Sequence, residues 1–420
     1  MSSSNNSKHH EVVIVGAGAG GLSVAASLLK RRPDLDIAVI DPAKEHSYQP
    51  GWTLVGGGVF NIKQTRRSMT SVVPRKVKHY EQAVEQFDPD NQTVTMANGD
   101  ALHYSILVVS PGLKLNWEAI PGLKETLGKN GVTSNYQWET APYTWENVTK
   151  LKKGRAIFTQ PPMPIKCAGA PQKAMYLACS EWLSQGRLKD IDVEFCNAGA
   201  VLFGVADYVP ALQSYIDKYD IALNLNQNLV EVDGDKQLAT FEVTDANGEK
   251  QRVEKSFDML HVCPPQCALD FVKNSPLADD AGWLDVYPDT LQHKRYENVF
   301  GLGDGANTPN AKTAAAVRAQ APVVAEYVLS LLVKQSPRAV YDGYGSCPLT
   351  VERGKIVLAE FIYGGKVKPS FPKWFIDGTK PSYLAWLLKE KSLPWVYWEG
   401  MLKGHEWLVK PEIASKPPRQ

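Results

Sequence analysis

Two cysteines in this chain stand among residues that could give them chemistry. Cys167 lies in Pro-Ile-Lys-Cys-Ala-Gly-Ala-Pro-Gln-Lys (164–173), flanked by Lys166 and Lys173, and Pro171 suits the first turn of a following helix. Neighbouring cations and a helix N-terminus favour the thiolate, which is the nucleophilic form of the side chain. Cys347, in Tyr-Gly-Ser-Cys-Pro-Leu (344–349), is the second candidate. Cys179, Cys196, Cys263 and Cys267 read as buried, inert thiols. With His261 as the nearby imidazole, Cys263 and Cys267 make too thin a ligand set for a metal, and none is expected.

A second chemistry is written at the N-terminus. The apolar run Val12 to Val15 leads into Gly16-Ala17-Gly18-Ala19-Gly20-Gly21 and then a helix-like stretch from Leu22 to Leu29. In such a strand–turn–helix unit Gly16 permits the tight turn, Gly18 lets the backbone approach a pyrophosphate, and Gly21 allows close helix–strand packing. Asp41 closes the next apolar strand, Ile37 to Ile40, where a carboxylate accepts the ribose hydroxyls and disfavours a 2′-phosphorylated nucleotide.

A distant motif says which dinucleotide. Asn298-Val-Phe-Gly-Leu-Gly-Asp304-Gly is followed by Lys312-Thr-Ala-Ala-Ala-Val317, and Val108-Val109-Ser110-Pro111-Gly112 lies between the two glycine motifs. In this order the sequence resembles the two-dinucleotide-fold flavoprotein disulfide reductases. The resemblance implies FAD, with Asp304 on the flavin ribitol and the helix after Lys312 aimed at the ring. The cofactor-binding set expected on this basis is Gly16, Gly18, Ala19, Gly20, Gly21, Asp41, Gln49, Val84, Ser110, Gly112, Asp304, Lys312 and Ala314.

The second α/β unit bears on the electron donor. A pyridine-nucleotide site needs another glycine turn after the strand at 155–159, but that strand runs into Gln160-Pro-Pro-Met-Pro-Ile-Lys-Cys167, with three prolines and no paired glycines. Asn197-Ala-Gly-Ala200, after the strand at 191–196, also lacks the pattern. The Cys167 segment, the Ser-Cys-Pro-Leu segment and Tyr48-Gln49-Pro50-Gly-Trp-Thr-Leu-Val-Gly56 together resemble sulfide:quinone oxidoreductases, of the two-cysteine branch that includes the mitochondrial enzyme. The resemblance runs from about 11 to 408. It implies that Cys167 and Cys347 form a redox-active pair beside FAD. Hydrosulfide attacks their disulfide by thiol–disulfide exchange, leaving one cysteine as a persulfide and freeing the other as a thiolate. Cys347 is expected to hold the persulfide and Cys167 to face the flavin, with Lys173 and Lys312 stabilising anionic reduced flavin or the quinone oxygen.

These residues need a scaffold, and the expected fold class is α/β. It has two Rossmann-like dinucleotide-binding domains of the glutathione-reductase-like kind plus a C-terminal membrane-associating segment. The expected domains are a discontinuous FAD-binding unit (11–112 and 275–335), a second Rossmann-like unit with a degenerate NAD site carrying Cys167 (113–274), and a C-terminal unit with Cys347 (336–420). Turns are expected at Asp88-Pro-Asp-Asn91 and Asn98-Gly99-Asp100. A length of 420 residues and 44% hydrophobic content suit a multi-domain globular chain. A net charge of +1 without a long basic run argues against nucleic-acid binding. No uninterrupted apolar run reaches the length of a spanning helix.

The acceptor is read from the tail. Trp374, Trp386, Trp395, Trp398 and Trp407 are five of the 11 tryptophans, and lysines at 373, 380, 389, 391 and 403 punctuate the segment. Indoles with snorkelling lysines suit a membrane interface, and Pro372, Pro381 and Pro394 keep the segments short, so the tail is expected to dip into one leaflet at a quinone's mouth. Expected partners are hydrogen sulfide, a membrane quinone, the membrane surface and a sulfur acceptor (sulfite, glutathione, cyanide or polysulfide), with a homo-oligomer possible. The N-terminal residues carry no evident leader, so a prokaryotic inner-membrane surface is expected ahead of a mitochondrial one. The alternatives are a type-II NADH:quinone oxidoreductase, which needs the missing second glycine loop and neither cysteine, the sulfide dehydrogenase subunit of a flavocytochrome, and a non-catalytic persulfide-binding protein.

Overall fold

The computed structural model describes residues 8–407 and 409–414. The N-terminal Ser/Asn-rich residues 1–7, and Leu408 at the end of the aromatic tail, lie outside them. The first sheet is built on the Lys8–Val15 strand, which pairs in parallel with Ile37–Ile40 on one side and Ala101–Val109 on the other. Val12, Val13 and Ile14 are fully buried because helices cover the sheet, which is why the strand reads as a continuous apolar run. The strand starts before Val12: His9 and His10 face His103 and Tyr104 in the same ladder, which the polar sequence there does not announce. Val299–Gly301, far along the chain, also pairs in parallel with Ala101–Val109. This brings the Gly-Asp turn to the C-terminal edge where the glycine turn after Val15 also sits. Helices Ala19–Arg31 and Ala314–Leu332 share one apolar cluster with that sheet through Val24, Leu28, Val323 and Val324. Ala314–Leu332 is long and apolar enough to cross a membrane, but it contains Pro322 and 61% of its apolar window is buried within the fold.

The second sheet is entirely parallel, in the order Val132–Thr133, Met259–His261, Gly154–Gln160, Ile191–Asn197, Ala222–Leu225. This sheet and the parallel part of the first, which also carries the antiparallel strands Thr93–Met96 and Val84–Asp88, make the two dinucleotide-fold halves with their flanking helices. An antiparallel meander over residues 227–256 follows the last of these strands but one. Helix Ala170–Ser184 packs on the second sheet through Met175, Cys179 and Trp182. The hairpin Gly345–Glu352/Lys355–Phe361 adds Leu349, Val351 and Val357 to that same cluster. Residues from widely separated parts of the chain are thereby brought against one helix.

The tail continues as helix Tyr383–Leu387, capped by the Ser382 hydroxyl, and then two π-helical turns, Leu388–Ser392 and Val396–Gly400. It ends on the glycine-turn helix: Glu406 accepts hydrogen bonds from Ser27 Oγ and Arg31 Nη1, both 2.6 Å. The tail is therefore partly an interior element. Trp386, Tyr397 and Trp398 are buried, whereas Trp374, Phe375, Tyr383, Leu384, Trp395 and Trp407 are exposed.

A candidate dithiol site beside a dinucleotide cradle

Cys167 and Cys347 face each other with their sulfurs 4.0 Å apart, as free thiols. Cys167 sits in the left-handed region (φ 48°), held by a hydrogen bond from its N–H to Lys312 O (2.8 Å) and by Tyr136 Oη, which donates to the carbonyls of Lys166 and Cys167. It precedes helix Ala170–Ser184, whose Pro171 occupies the first turn. Cys347 lies within the Gly345–Glu352 strand opposite Ala359. Gly169 is what permits the approach: a Cβ there would come within 2.6 Å of the Cys347 sulfur.

Two buried ammonium groups attend the pair. Lys173, one turn into the helix, donates to Cys167 Sγ at 3.1 Å and is 3% exposed. Lys389, from the tail's first π-helical turn, is 4% exposed and donates to the carbonyl of Pro348 at 3.3 Å. The hydrogen bond from the Cys347 thiol, with the charges of Lys173 and Lys389, holds Cys167 well below the ordinary thiol range despite burial. Cys347 is pushed up by that same hydrogen bond and by burial. In the reduced pair the thiolate is thereby favoured on Cys167 and the proton on Cys347. Burial pushes Lys389 down to about 7, helped by its like-charged neighbour Lys173, while Lys173 is raised by the two sulfurs. The remaining cysteines differ: burial raises Cys179, and raises Cys196 to about 11 and Cys263 to about 12.

The cofactor cradle is legible in its packing. Gly16 has φ 99°, and a Cβ there would run into Ser110 O; one on Gly21 would run into Gly16 O. At Gly18 a Cβ would meet nothing within 4 Å, so this glycine opens onto space beside the helix that begins at Ala19. Gly20 packs against Ser110 Oγ, and Gly112 (φ 80°) also faces open space. Asp41 accepts from Ala17 N at 2.6 Å and Ala43 N at 2.8 Å, which fixes its carboxylate at the rim of the turn. Val84, 9% exposed, lies in the Val84–Asp88 strand of the same sheet. A turn sealed on its packing side and open on the other, backed by a helix N-terminus, fits a dinucleotide pyrophosphate.

The far end of the cradle departs from expectation at one residue. Asp304 lies in the Gly303–Gly305 turn, with its carboxyl raised by burial and opposed by Lys166 and Lys312. Lys312 donates to the carbonyls of Asp304 (2.8 Å) and Ala306 (2.7 Å) and covers the Trp283 ring at 4.5 Å. Its ammonium is spent on that turn, and burial lowers it to about 8. Ala314 opens the Ala314–Leu332 helix, with Thr313 as its cap. Gln49 accepts from Lys166 Nζ at 2.6 Å. Tyr136 was not anticipated from the sequence, whereas Lys166 was read only as a cation flanking Cys167 and Lys389 only as one of the tail's lysines. Lys166 had only its place beside Cys167 as a signal, and Lys389 was one of several lysines taken as surface residues.

Comparison with known proteins bears on the family and the fold. Residues 10–147 match the family model for pyridine nucleotide-disulphide oxidoreductases. The chain is 40% identical over 391 residues to the sulfide:quinone oxidoreductase, mitochondrial, of Mus musculus, covering 93% of this chain and 86% of that one. It is 43% identical over 400 residues to the protein of the same name from Dictyostelium discoideum, covering 94% and 86%. Among solved structures, the sulfide:quinone oxidoreductase of Aquifex aeolicus superposes with a TM-score of 0.79 at 20% identity over 98% of both chains. The Plasmodium falciparum NDH2 in complex with NADH reaches 0.54 at 14% identity, covering 71% of this chain and 64% of that one.

Proposed function

This chain belongs to the sulfide:quinone oxidoreductase family, and from that premise we propose how its own residues carry electrons from sulfide to quinone. It is a flavin-dependent oxidoreductase whose substrates are sulfide and quinone. The flavin proposed is FAD: Gly16, Gly18, Ala19, Gly20 and Gly21 would hold the pyrophosphate, Asp41 the ribose, and Asp304 the ribitol, with Gln49, Val84, Ser110, Gly112 and Ala314 completing the cradle. When bound, it supplies a two-electron acceptor that can be reoxidised by quinone.

The observation that carries the reading is the pair of sulfurs 4.0 Å apart with the Lys173 ammonium 3.1 Å from one of them. In the oxidised enzyme the two sulfurs are joined. Hydrosulfide attacks Cys347, the bond between the cysteines breaks, and Cys167 leaves as the thiolate. That choice of leaving group follows from the Lys173 hydrogen bond, since the sulfur with the lower pKa leaves faster. The sulfur left on Cys347 passes to a soluble nucleophile such as sulfite, glutathione, cyanide or polysulfide. Lys312 holds the Asp304 turn in shape rather than acting on a reacting oxygen.

The chain is organised as a discontinuous FAD unit (11–112, 275–335), a second Rossmann-like unit (113–274) and a C-terminal unit (336–420) that seats on both. The exposed aromatics of the tail, Trp374 at 85% and Trp395 at 55%, form its membrane-facing side, anchored by buried Trp386 and Trp398. The relatives described above are named as mitochondrial, which favours a quinone-bearing mitochondrial membrane over the prokaryotic one expected from the N-terminal residues.

The test is an anaerobic titration of the purified flavoprotein, with sulfide added to one sample and NADH to another. Sulfide should bleach the flavin absorbance, NADH should not, and a short-chain quinone should restore it. Cys347→Ser should keep the flavin and lose the sulfide response. Bleaching by NADH alone would sink the reading.

A further inference from the structure

We infer that Lys389, delivered by the C-terminal tail, is the base that takes the proton of incoming hydrogen sulfide at the Cys347 end of the disulfide. The inference rests on the function proposed above and names a group that the reaction there leaves unassigned.

Lys389 is a buried lysine that donates to a carbonyl, Pro348 O, on the residue next to Cys347, and its amine also lies within hydrogen-bonding reach of Lys173. Among the described residues no carboxylate pairs with it. The carboxylates of the adjoining hairpin are engaged elsewhere: Glu352 with Lys218 and Lys355, and Glu360 with Tyr344 and Ser370. On its own turn Glu390 pairs with exposed Lys391. The charged and titratable groups that face it are Lys173 from helix Ala170–Ser184, Cys167 from the preceding loop and Cys347 from the hairpin. A buried amine without a counter-ion, beside a second ammonium, is driven toward its neutral form.

The two lysines are pushed apart, and that separation assigns their roles. Lys173 touches Cys167 and is held charged by the sulfurs, so it is the counter-ion of the leaving thiolate. Lys389 is held down by Lys173 and up by the sulfurs, so its proton affinity rises as negative charge appears on the pair. While the cysteines are joined there is no thiolate, and Lys389 is most readily neutral. The step then balances. Neutral Lys389 takes one proton from H2S, and the resulting HS⁻ attacks Cys347. The Cys167–Cys347 bond breaks, and the products are Cys347–S–SH, the Cys167 thiolate and protonated Lys389. The disulfide is the oxidant, the electron pair ends on Cys167, and the net charge of the buried site is unchanged. Ala385, Trp386 and Lys389 are buried at helical spacing, so the inward face of the tail carries this side chain to the cysteine pair, within a π-helical turn over Leu388–Ser392 of the kind that recurs at functional sites.

The experiment uses the flavin-loaded enzyme and rapid anaerobic mixing with sulfide. Lys389→Met and Lys389→Arg should both slow flavin bleaching by roughly 100-fold at neutral pH, the scale of a lost general base. Both should still be bleached by dithionite. In Lys389→Ala, methylamine at fixed pH should restore part of the rate, more than a less basic amine does. Full activity in Lys389→Arg would overturn the inference, because a fixed cation would then suffice. So would an unslowed Lys389→Met, or an Ala variant that keeps its flavin yet is indifferent to methylamine. If the Ala variant fails to hold flavin, the Met and Arg pair decides. A wild-type protein that ignores sulfide would instead overturn the proposed function, which separates the two failures.

Discussion

Replacing Lys173 with methionine should raise the pKa of Cys167 and slow its departure as a leaving group. The ammonium lies 3.1 Å from the sulfur and both side chains are largely withdrawn from water. Two unit charges at that separation in an effective dielectric of about 20 attract by roughly 5 kcal/mol. Desolvation of the lysine offsets part of this, and a hydrogen bond to a charged group typically nets about 1.5–3 kcal/mol. At about 1.4 kcal/mol per unit, that is a rise of roughly 1–2 pKa units. The assay is alkylation of the reduced protein by iodoacetamide across a pH series, read by mass spectrometry on the peptide containing Cys167. An unmoved midpoint in Lys173→Met would refute the assignment and leave the hydrogen bond from Cys347 and the charge of Lys389 as the causes of the depressed value. The sign of the stability effect is also fixed. A thiol whose folded value lies below its ordinary 9.0 contributes stability that is complete above pH 9 and is lost as the pH falls through the folded value. The reduced variant should therefore show a flatter urea-midpoint curve than wild type below pH 9.

Gly16→Ala should destabilise the fold by more than about 1 kcal/mol, because it strains a positive φ and meets Ser110. Gly18→Ala should leave apoprotein stability within about 0.5 kcal/mol while speeding flavin loss, since its methyl group points into open space; apoprotein melting and flavin release measured together separate the two. Lys389 has a folded value of about 7 against an ordinary 10.5, so between those limits the unfolded chain binds more protons and wild-type stability should climb with pH. Lys389→Met should remove that climb, and urea midpoints from pH 7 to 10 would reveal its persistence if the reasoning is wrong. Trp374→Ser combined with Trp395→Ser should reduce co-sedimentation with anionic liposomes without altering flavin bleaching by sulfide; unchanged co-sedimentation would mean these exposed indoles face something other than lipid.

What could be read from the sequence was what is local in it. The glycine turn and Asp41 carry their geometry within a few residues, so the α/β class and a pyrophosphate turn were expected from spacing, whereas the roles given to Asp304 and the rest of the flavin set came from the resemblance. The Cys167 loop was conspicuous because three prolines stand where a second glycine turn belongs. Cys347 was different: its place opposite Cys167 depends on a hairpin that inserts beside helix Ala170–Ser184, and only the resemblance of its short motif pointed there. The direction of Lys312 was not legible, since a lysine's four-carbon stem can reach a ring edge or a backbone carbonyl with equal ease, and here two carbonyls and the Trp283 face hold it. Lys389 was hidden because its partners, Cys167, Cys347 and Lys173, come from distant parts of the chain, and a lysine among other lysines gives no local sign that it is buried with Ala385 and Trp386.

The tail's aromatic content has two physical causes that composition alone merges. Some of its rings are exposed, but others join the tail to the dinucleotide fold. His46 is buried and its pKa is lowered by burial, so it is neutral, with one donor and one acceptor nitrogen. Its Nδ1 lies 3.0 Å from Ala17 O, which can only accept, so Nδ1 carries the proton. Nε2 must then accept from Tyr397 Oη at 2.7 Å. Tyr397 also packs on Tyr48 and Trp398, and Arg67 covers the Trp398 ring at 4.4 Å. One chain of contacts thus runs from the glycine turn through His46 to the tail, while Lys389 on the same tail reaches the cysteine pair. This segment cannot shift without disturbing both the cradle and the cysteine pair. That makes the tail a structural member of the site as well as the bearer of exposed aromatic rings.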